Sequence, residues 1–189
     1  LNPAVTLEQA AVGSMPWSKV PLYIVAQVLG AMAGAGLAYL TYKKQFDTHD
    51  DPANTGGIFF TTASVYSPVW NVVSEAIGTF VLLMFVQESS PFQFGTADST
   101  PEFGNSALGY AGVAFTVIAI GASLGGPTGY AINPARDLGP RIMYSLLPIK
   151  GKGSSNWGYS WIPIVGPLVG VALALLWLTL TGEHPGDMP

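Results

Sequence analysis

Four apolar stretches, at residues 20–42, 69–86, 107–124 and 159–181, are each long enough to cross a lipid bilayer as helix, which takes about 20 residues. Only 10% of the 189 residues are charged, against roughly 25% in an ordinary soluble domain, so four such helices could not be kept in water. The sequence therefore predicts an all-α membrane protein in contact with the lipid bilayer. Disorder is excluded by an apolar content of 49%, and a disulfide scaffold by the absence of Cys. Seven Lys and Arg without a basic run leave no nucleic-acid surface.

Polar connections fall at 43–67, 88–106 and 148–158. Two further apolar segments, 3–15 and 134–147, are too short to cross. Both open on the same tripeptide, Asn2-Pro3-Ala4 and Asn133-Pro134-Ala135. Asn is a strong N-cap and Pro is favoured in the first helical turn, so each tripeptide marks a helix start. Each short helix leads into a span with a small-xxx-small pair, Gly30/Gly34 and Gly166/Gly170, a device for close helix approach in lipid. The pattern is an internal repeat. We read residues 1–189 as one membrane domain: 1–42 ends a first repeat, 43–68 is a loop, 69–181 is a second repeat, and 182–189 is a tail. The second repeat holds two spans, a half-helix and the last span. Leu1 opens directly on the motif, and we expect the chain to start partway through a larger protein.

Three spans separate the two short helices. An odd number of crossings inverts the second repeat, and inverted repeats with broken helices build central sites in membranes. Two helix N-termini facing each other at mid-membrane would place partial positive charge there, a barrier to cations but not to neutral solutes. The Asn2 and Asn133 amides could donate to a passing oxygen, while the carbonyls of Gly129, Tyr130, Ala131 and Ile132 accept. Arg136 is a charge at membrane depth, which costs about 2.5–3.5 kcal/mol on insertion scales and is usually kept for function. Glu75 is the one acid inside a clean span. It is either a proton relay of a coupled transporter or an acceptor for backbone N–H groups of a re-entrant loop. Glu8, on the first half-helix, is expected toward the aqueous end without a role. Asp47, His49, Asp50 and Asp51 read as a solvated loop beside Lys43 and Lys44. No enzyme motif is present, and no cofactor is implied.

The segments Leu1-Asn2-Pro3-Ala4-Val5-Thr6-Leu7 and Gly129-Tyr130-Ala131-Ile132-Asn133-Pro134-Ala135-Arg136-Asp137 resemble the aquaporin family of major intrinsic proteins, and the similarity runs through the whole chain. The resemblance implies a fold of six spans and two re-entrant half-helices, of which the first two spans are not in this sequence. It also implies a passive pore per chain, a homotetramer, and a multi-pass protein of the cell (plasma) membrane. Asp137, Arg141, Pro163 and Ile164 match the glycerol-conducting branch. Its implied cargo is glycerol, water and other small uncharged solutes, with protons and ions excluded. A water-selective channel, or a proton-coupled transporter using Glu75, is the alternative.

By the same resemblance, Arg136, Tyr130 and Gly121 match filter positions, the glycine leaving the channel wider. Pro3, Pro134, Asp137 and Glu75 would give support, Asp137 orienting its loop and Glu75 bracing the loop of the first motif. The implied orientation puts the 88–106 connection in the cytoplasm, whereas the loop charges alone favour the reverse.

Overall fold

A computed structural model describes residues 1–88 and 104–182. The connection expected at 88–106 and the tail beyond Gly182 lie almost wholly outside the described residues. Seven α-helices run through the described chain, with no strand among these residues: α1 (Pro3–Ala11), α2 (Val20–Thr41), α3 (Lys43–Asp47), α4 (Pro68–Glu88), α5 (Gly104–Leu124), α6 (Pro134–Leu146) and α7 (Ile162–Thr181). Four of them, α2, α4, α5 and α7, have 20 to 22 residues and so extend about 30 Å, the thickness of a bilayer core. Three segments, Trp17–Thr41, Pro68–Gln87 and Ile162–Thr181, are long and apolar enough to cross a membrane, with mean hydropathies of 1.7, 1.8 and 2.2.

The short helices start where the tripeptides place them. The Asn2 side chain accepts from the Ala4 amide, and the Asn133 side chain accepts from Ala135 and Arg136, satisfying N–H groups that have no partner within the helix. α1 stops at Ala11, short of the expected 15, because Gly13 turns left-handed at φ 83°. α7 starts at Ile162 rather than 159, with Pro163 in its first turn.

The two small-residue pairs have different fates. A Cβ on Gly166 would lie 2.4 Å from the Glu75 Cβ, and one on Gly170 would lie 2.7 Å from the Ala76 carbonyl. Those glycines let α7 lie directly on α4, and Ala174 continues the contact onto Leu83. A Cβ on Gly30 or Gly34 would meet nothing within 4 Å among the described residues. The shared motif therefore makes a helix contact in one repeat and leaves an open face in the other.

The loop 43–67 is more ordered than a polar connection. It contains α3 and a 3-10 segment, Pro52–Ile58, and it buries a chain of aromatic rings. Tyr39, Phe46, Phe59 and Tyr144 stack in sequence with centroids 5.2 to 5.7 Å apart, and Phe60 meets Tyr144 edge-on at 5.4 Å. This cluster fastens the loop to α2 and α6. Leu22, Leu29, Leu37 and Leu40 of α2, and Leu176, Trp177 and Leu180 of α7, point outward. Those faces suit lipid or another apolar surface.

Candidate functional site

The two Asn-Pro-Ala tripeptides meet. The Asn2 amide donates to the Ile132 carbonyl at 2.8 Å, and the Asn133 amide donates to the Leu1 carbonyl at 2.9 Å. Each asparagine thus binds the residue immediately before the other, a crosswise pair across the repeat axis. A carboxamide has two N–H groups and two acceptor sites on its oxygen. The oxygen caps its own helix, one N–H crosses to the opposite motif, and one N–H is left for a passing acceptor. The Ile132 carbonyl, expected among the free acceptors, is engaged by Asn2.

Upstream of Asn133 the chain is non-helical and left-handed at three positions: Gly129 (φ 77°), Tyr130 (φ 40°) and Ile132 (φ 42°). Left-handed backbone at Tyr and Ile is uncommon and costs about 1–3 kcal/mol, so something must hold it. Glu75 of α4 does. Its carboxylate oxygens accept from the Ala131 amide at 2.9 Å and the Ile132 amide at 2.7 Å, and the Thr128 side chain also bonds to it. Across a planar trans peptide, the carbonyl of the preceding residue points opposite to the N–H. The Tyr130 and Ala131 carbonyls therefore face away from Glu75. This corrects one expectation: Glu75 braces the loop of the second motif, not of the first, because α4 packs beside residues 128–132. Both carboxylate oxygens are occupied by fixed donors, the acceptor arrangement rather than a relay.

Tyr130 is 37% exposed, and its ring lies along α5. A Cβ on Gly121 would sit 2.8 Å from the Tyr130 ring, and one on Gly125 would sit 2.6 Å from it. The missing side chain at Gly121 thus makes room for the Tyr130 ring. Arg136 is exposed and donates to the Phe59 carbonyl at 3.4 Å. It lines a cavity of about 370 Å³ with Gly34, Ala35, Ala38, Phe59 and Pro140. A guanidinium, an aromatic ring and outward-facing carbonyls therefore lie within one re-entrant segment, two or three residues either side of Asn133.

Behind Arg136 sits a buried ion pair. Arg141 donates to both oxygens of Asp137, at 2.8 and 3.0 Å, and both side chains are almost wholly inaccessible. Asp137 also accepts from the Thr61 amide and hydroxyl, each at 2.8 Å. Nothing in the stretch Phe59-Phe60-Thr61-Thr62-Ala63 marks Thr61 as a functional residue. The Asp137–Arg141 spacing of four residues is a readable ion-pair signal on a helix. At the far end of α6, Lys152 donates to the Ser145 and Leu147 carbonyls, offsetting the negative end of the half-helix, and burial pulls its ammonium below the usual lysine range.

Glu8 departs from expectation. It is fully buried instead of facing water, with one oxygen accepting from Gln9 and the other without a partner among the described residues. Asp47, Asp50, Asp51 and His49 form no metal-like group, and none occurs among the described residues.

Helices of membrane length around two short-helix N-termini, joined crosswise at their caps, define an all-helical membrane protein built on a repeat. The chain belongs to the major intrinsic protein family, whose profile matches residues 1–177. It is 51% identical over 170 residues to the glycerol uptake facilitator protein of Bacillus subtilis, covering 90% of this chain and 58% of that protein. Against the Streptococcus pneumoniae glycerol uptake facilitator protein the identity is 45% over 180 residues, covering 95% of this chain and 73% of the other. The fold matches the X-ray structure of the aquaglyceroporin from Plasmodium falciparum with a TM-score of 0.71 at 26% identity, over 94% of this chain and 70% of that one.

Proposed function

We propose that the protein is a passive channel for glycerol and other small neutral solutes, together with water, and that it excludes protons and ions. The observation that carries this reading is the crosswise Asn2–Asn133 arrangement. Two helix N-termini brought together offer about half a positive charge each, and the carboxylates nearest the α6 end are already engaged, Glu75 by the Ala131 and Ile132 amides and Asp137 by Arg141 and Thr61. A cation meets a barrier there. A hydroxyl oxygen instead finds the remaining amide N–H groups, and its proton finds the Tyr130 and Ala131 carbonyls. The exchange of water for these partners is close to neutral in energy.

Arg136 would donate to solute hydroxyls and repel cations, and the Tyr130 ring would take the C–H side of a polyol. Pro3 and Pro134 start the half-helices, while Asp137 and Glu75 hold the second loop in place. The relatives' names, glycerol uptake facilitator and aquaglyceroporin, favour polyols over water alone. The setting we propose is the plasma membrane, in a homotetramer with one pore per chain.

Vesicles holding the intact protein test the reading by light scattering. In a glycerol gradient they should shrink and then re-swell quickly, while in a sucrose gradient they should only shrink. The glycerol rate should ignore an imposed pH gradient. Uptake that saturates and follows the pH gradient would overturn the channel in favour of coupled transport. Fast water loss without glycerol re-swelling would leave a water-selective pore.

A further inference from the structure

We propose that Arg141, which has no access to solute, sets the solute discrimination of the channel by positioning Arg136 through residues 59–61. The proposal rests on the channel reading above.

Arg141 is fully buried, and each of its five N–H donors has a distinct acceptor. Nε and one Nη2 hydrogen go to Asp137, the other Nη2 hydrogen to the Thr61 carbonyl at 2.9 Å, and the Nη1 pair to the Ser155 and Asn156 carbonyls at 2.7 and 2.9 Å. The guanidinium also lies 4.2 Å from the Phe60 ring centroid. A planar fork with every donor used is an arrangement that a lysine, with three donors on one nitrogen, cannot copy.

The segment it holds reaches the candidate filter at both ends. Thr61 is fixed by three bonds, two into Asp137 and one from Arg141. Two residues earlier, the Phe59 carbonyl accepts from Arg136. On the other side, the Thr61 side chain lies 3.3 Å from where a Gly129 Cβ would sit. Ser64 then donates to the Gly126 carbonyl at 2.7 Å and the Pro127 carbonyl at 2.9 Å. Residues 59–64 thus bridge from Arg136 to the re-entrant loop that carries Tyr130. The acceptor that fixes the Arg136 guanidinium stands where Arg141 and Asp137 put it. Arg141 is therefore a positioning residue: loosening it frees the Phe59 carbonyl and lets Arg136 sample wider positions.

The test compares Arg141→Lys and Thr61→Val with the wild type in vesicles, scoring the ratio of glycerol flux to flux of a linear four-carbon polyol. Folded protein is quantified separately by detergent-stable, monodisperse yield. Arg141→Lys should lower the ratio about three- to tenfold, within the range for residues coupled to a site they do not touch. Thr61→Val, which removes one hydroxyl bond and keeps both backbone bonds, should move it in the same direction by less. A general packing defect would lower yield and leave the ratio of the surviving channels alone. If folded Arg141→Lys channels keep the wild-type ratio, the proposal is wrong. Should Arg141→Lys fail to fold, an unchanged ratio in Thr61→Val overturns it equally. Wild-type vesicles closed to glycerol would instead remove the channel reading, and this proposal with it.

Discussion

The two half-helices begin alike and then diverge. Counted from the asparagine, Val5 of α1 stands opposite Arg136 of α6, Thr6 opposite Asp137, Glu8 opposite Gly139, and Ala10 opposite Arg141. The shared part makes the shared geometry: each Asn caps its own helix and donates to the other motif. The divergent part makes an asymmetry. α6 carries a cation at the cavity, backed by a buried ion pair that ties in residues 59–61 and 155–156. α1 has one neutral tie at the matching place, Gln27 donating to Thr6 at 2.9 Å. The repeat thus supplies a symmetric centre, and the buried ion pair and exposed cation on one arm only make the two arms unlike.

The strongest way to break this contrast is to remove the carboxylate. Asp137→Ala leaves the Arg141 guanidinium buried without a counter-charge, which costs about 3–5 kcal/mol. Thr6→Ala, at the equivalent place on α1, gives up one neutral hydrogen bond worth about 1 kcal/mol. Thermal unfolding in detergent should show Asp137→Ala far below Thr6→Ala. Equal losses would mean that the ion pair contributes no more than the neutral tie.

A second comparison sets the two asparagines against each other. Asn133 accepts two amides and donates once across, whereas Asn2 accepts one amide and donates once. At about 1 kcal/mol per bond, Asn133→Ala should cost about 3 kcal/mol and Asn2→Ala about 2. Matching losses would show that the crosswise bonds, one for each asparagine, carry the effect and the caps add little. These caps were legible in sequence because capping is a local matter, settled by Asn-Pro-Ala itself. The spans were legible for the same reason, since length and apolarity decide them. Glu75 was legible as a loop acceptor but not as to which loop, because both re-entrant segments need one and only the packing of α4 chooses. Phe46, Phe59 and Phe60 share no period with one another, so their buried cluster could not be foreseen from spacing. The Arg136–Phe59 contact depends on that cluster and was hidden with it.

The third contrast lies at the sixth residue after each asparagine. A Cβ on Gly139 would fall 2.7 Å from the Ala31 side chain and 2.8 Å from the Val28 carbonyl, a backbone atom of α2 that cannot step aside. Gly139→Ala should therefore cost about 1–3 kcal/mol by overpacking and push α6 away from α2. Gly30→Ala, on the open face of α2, meets nothing within 4 Å of its added methyl and should leave the packing within this chain intact. Crosslinking between cysteines introduced on α2 and α6 would register the displacement. A Gly139→Ala protein that crosslinks and melts like the parent would show the helices free to separate at no cost.

The smallest expected effect concerns the residue that fills the same place on α1. Glu8 is as buried as Arg141, yet among the described residues one of its oxygens has no partner and the other takes only the Gln9 amide at 2.9 Å. On α6 a buried charge is balanced by another charge and a full set of hydrogen bonds; on α1 nothing among the described residues does this for Glu8. Glu8→Gln keeps an oxygen for Gln9 and removes the uncompensated carboxylate, so it should raise stability, by up to about 1 kcal/mol, because a buried neutral amide is cheaper to desolvate than a buried charge. Its new N–H group needs an acceptor of its own, which keeps the gain small. A fall in melting temperature for Glu8→Gln would mean that the carboxylate is compensated in the intact protein after all. The asymmetry between the arms would then be a matter of where each buried charge finds its partner, not of whether it has one.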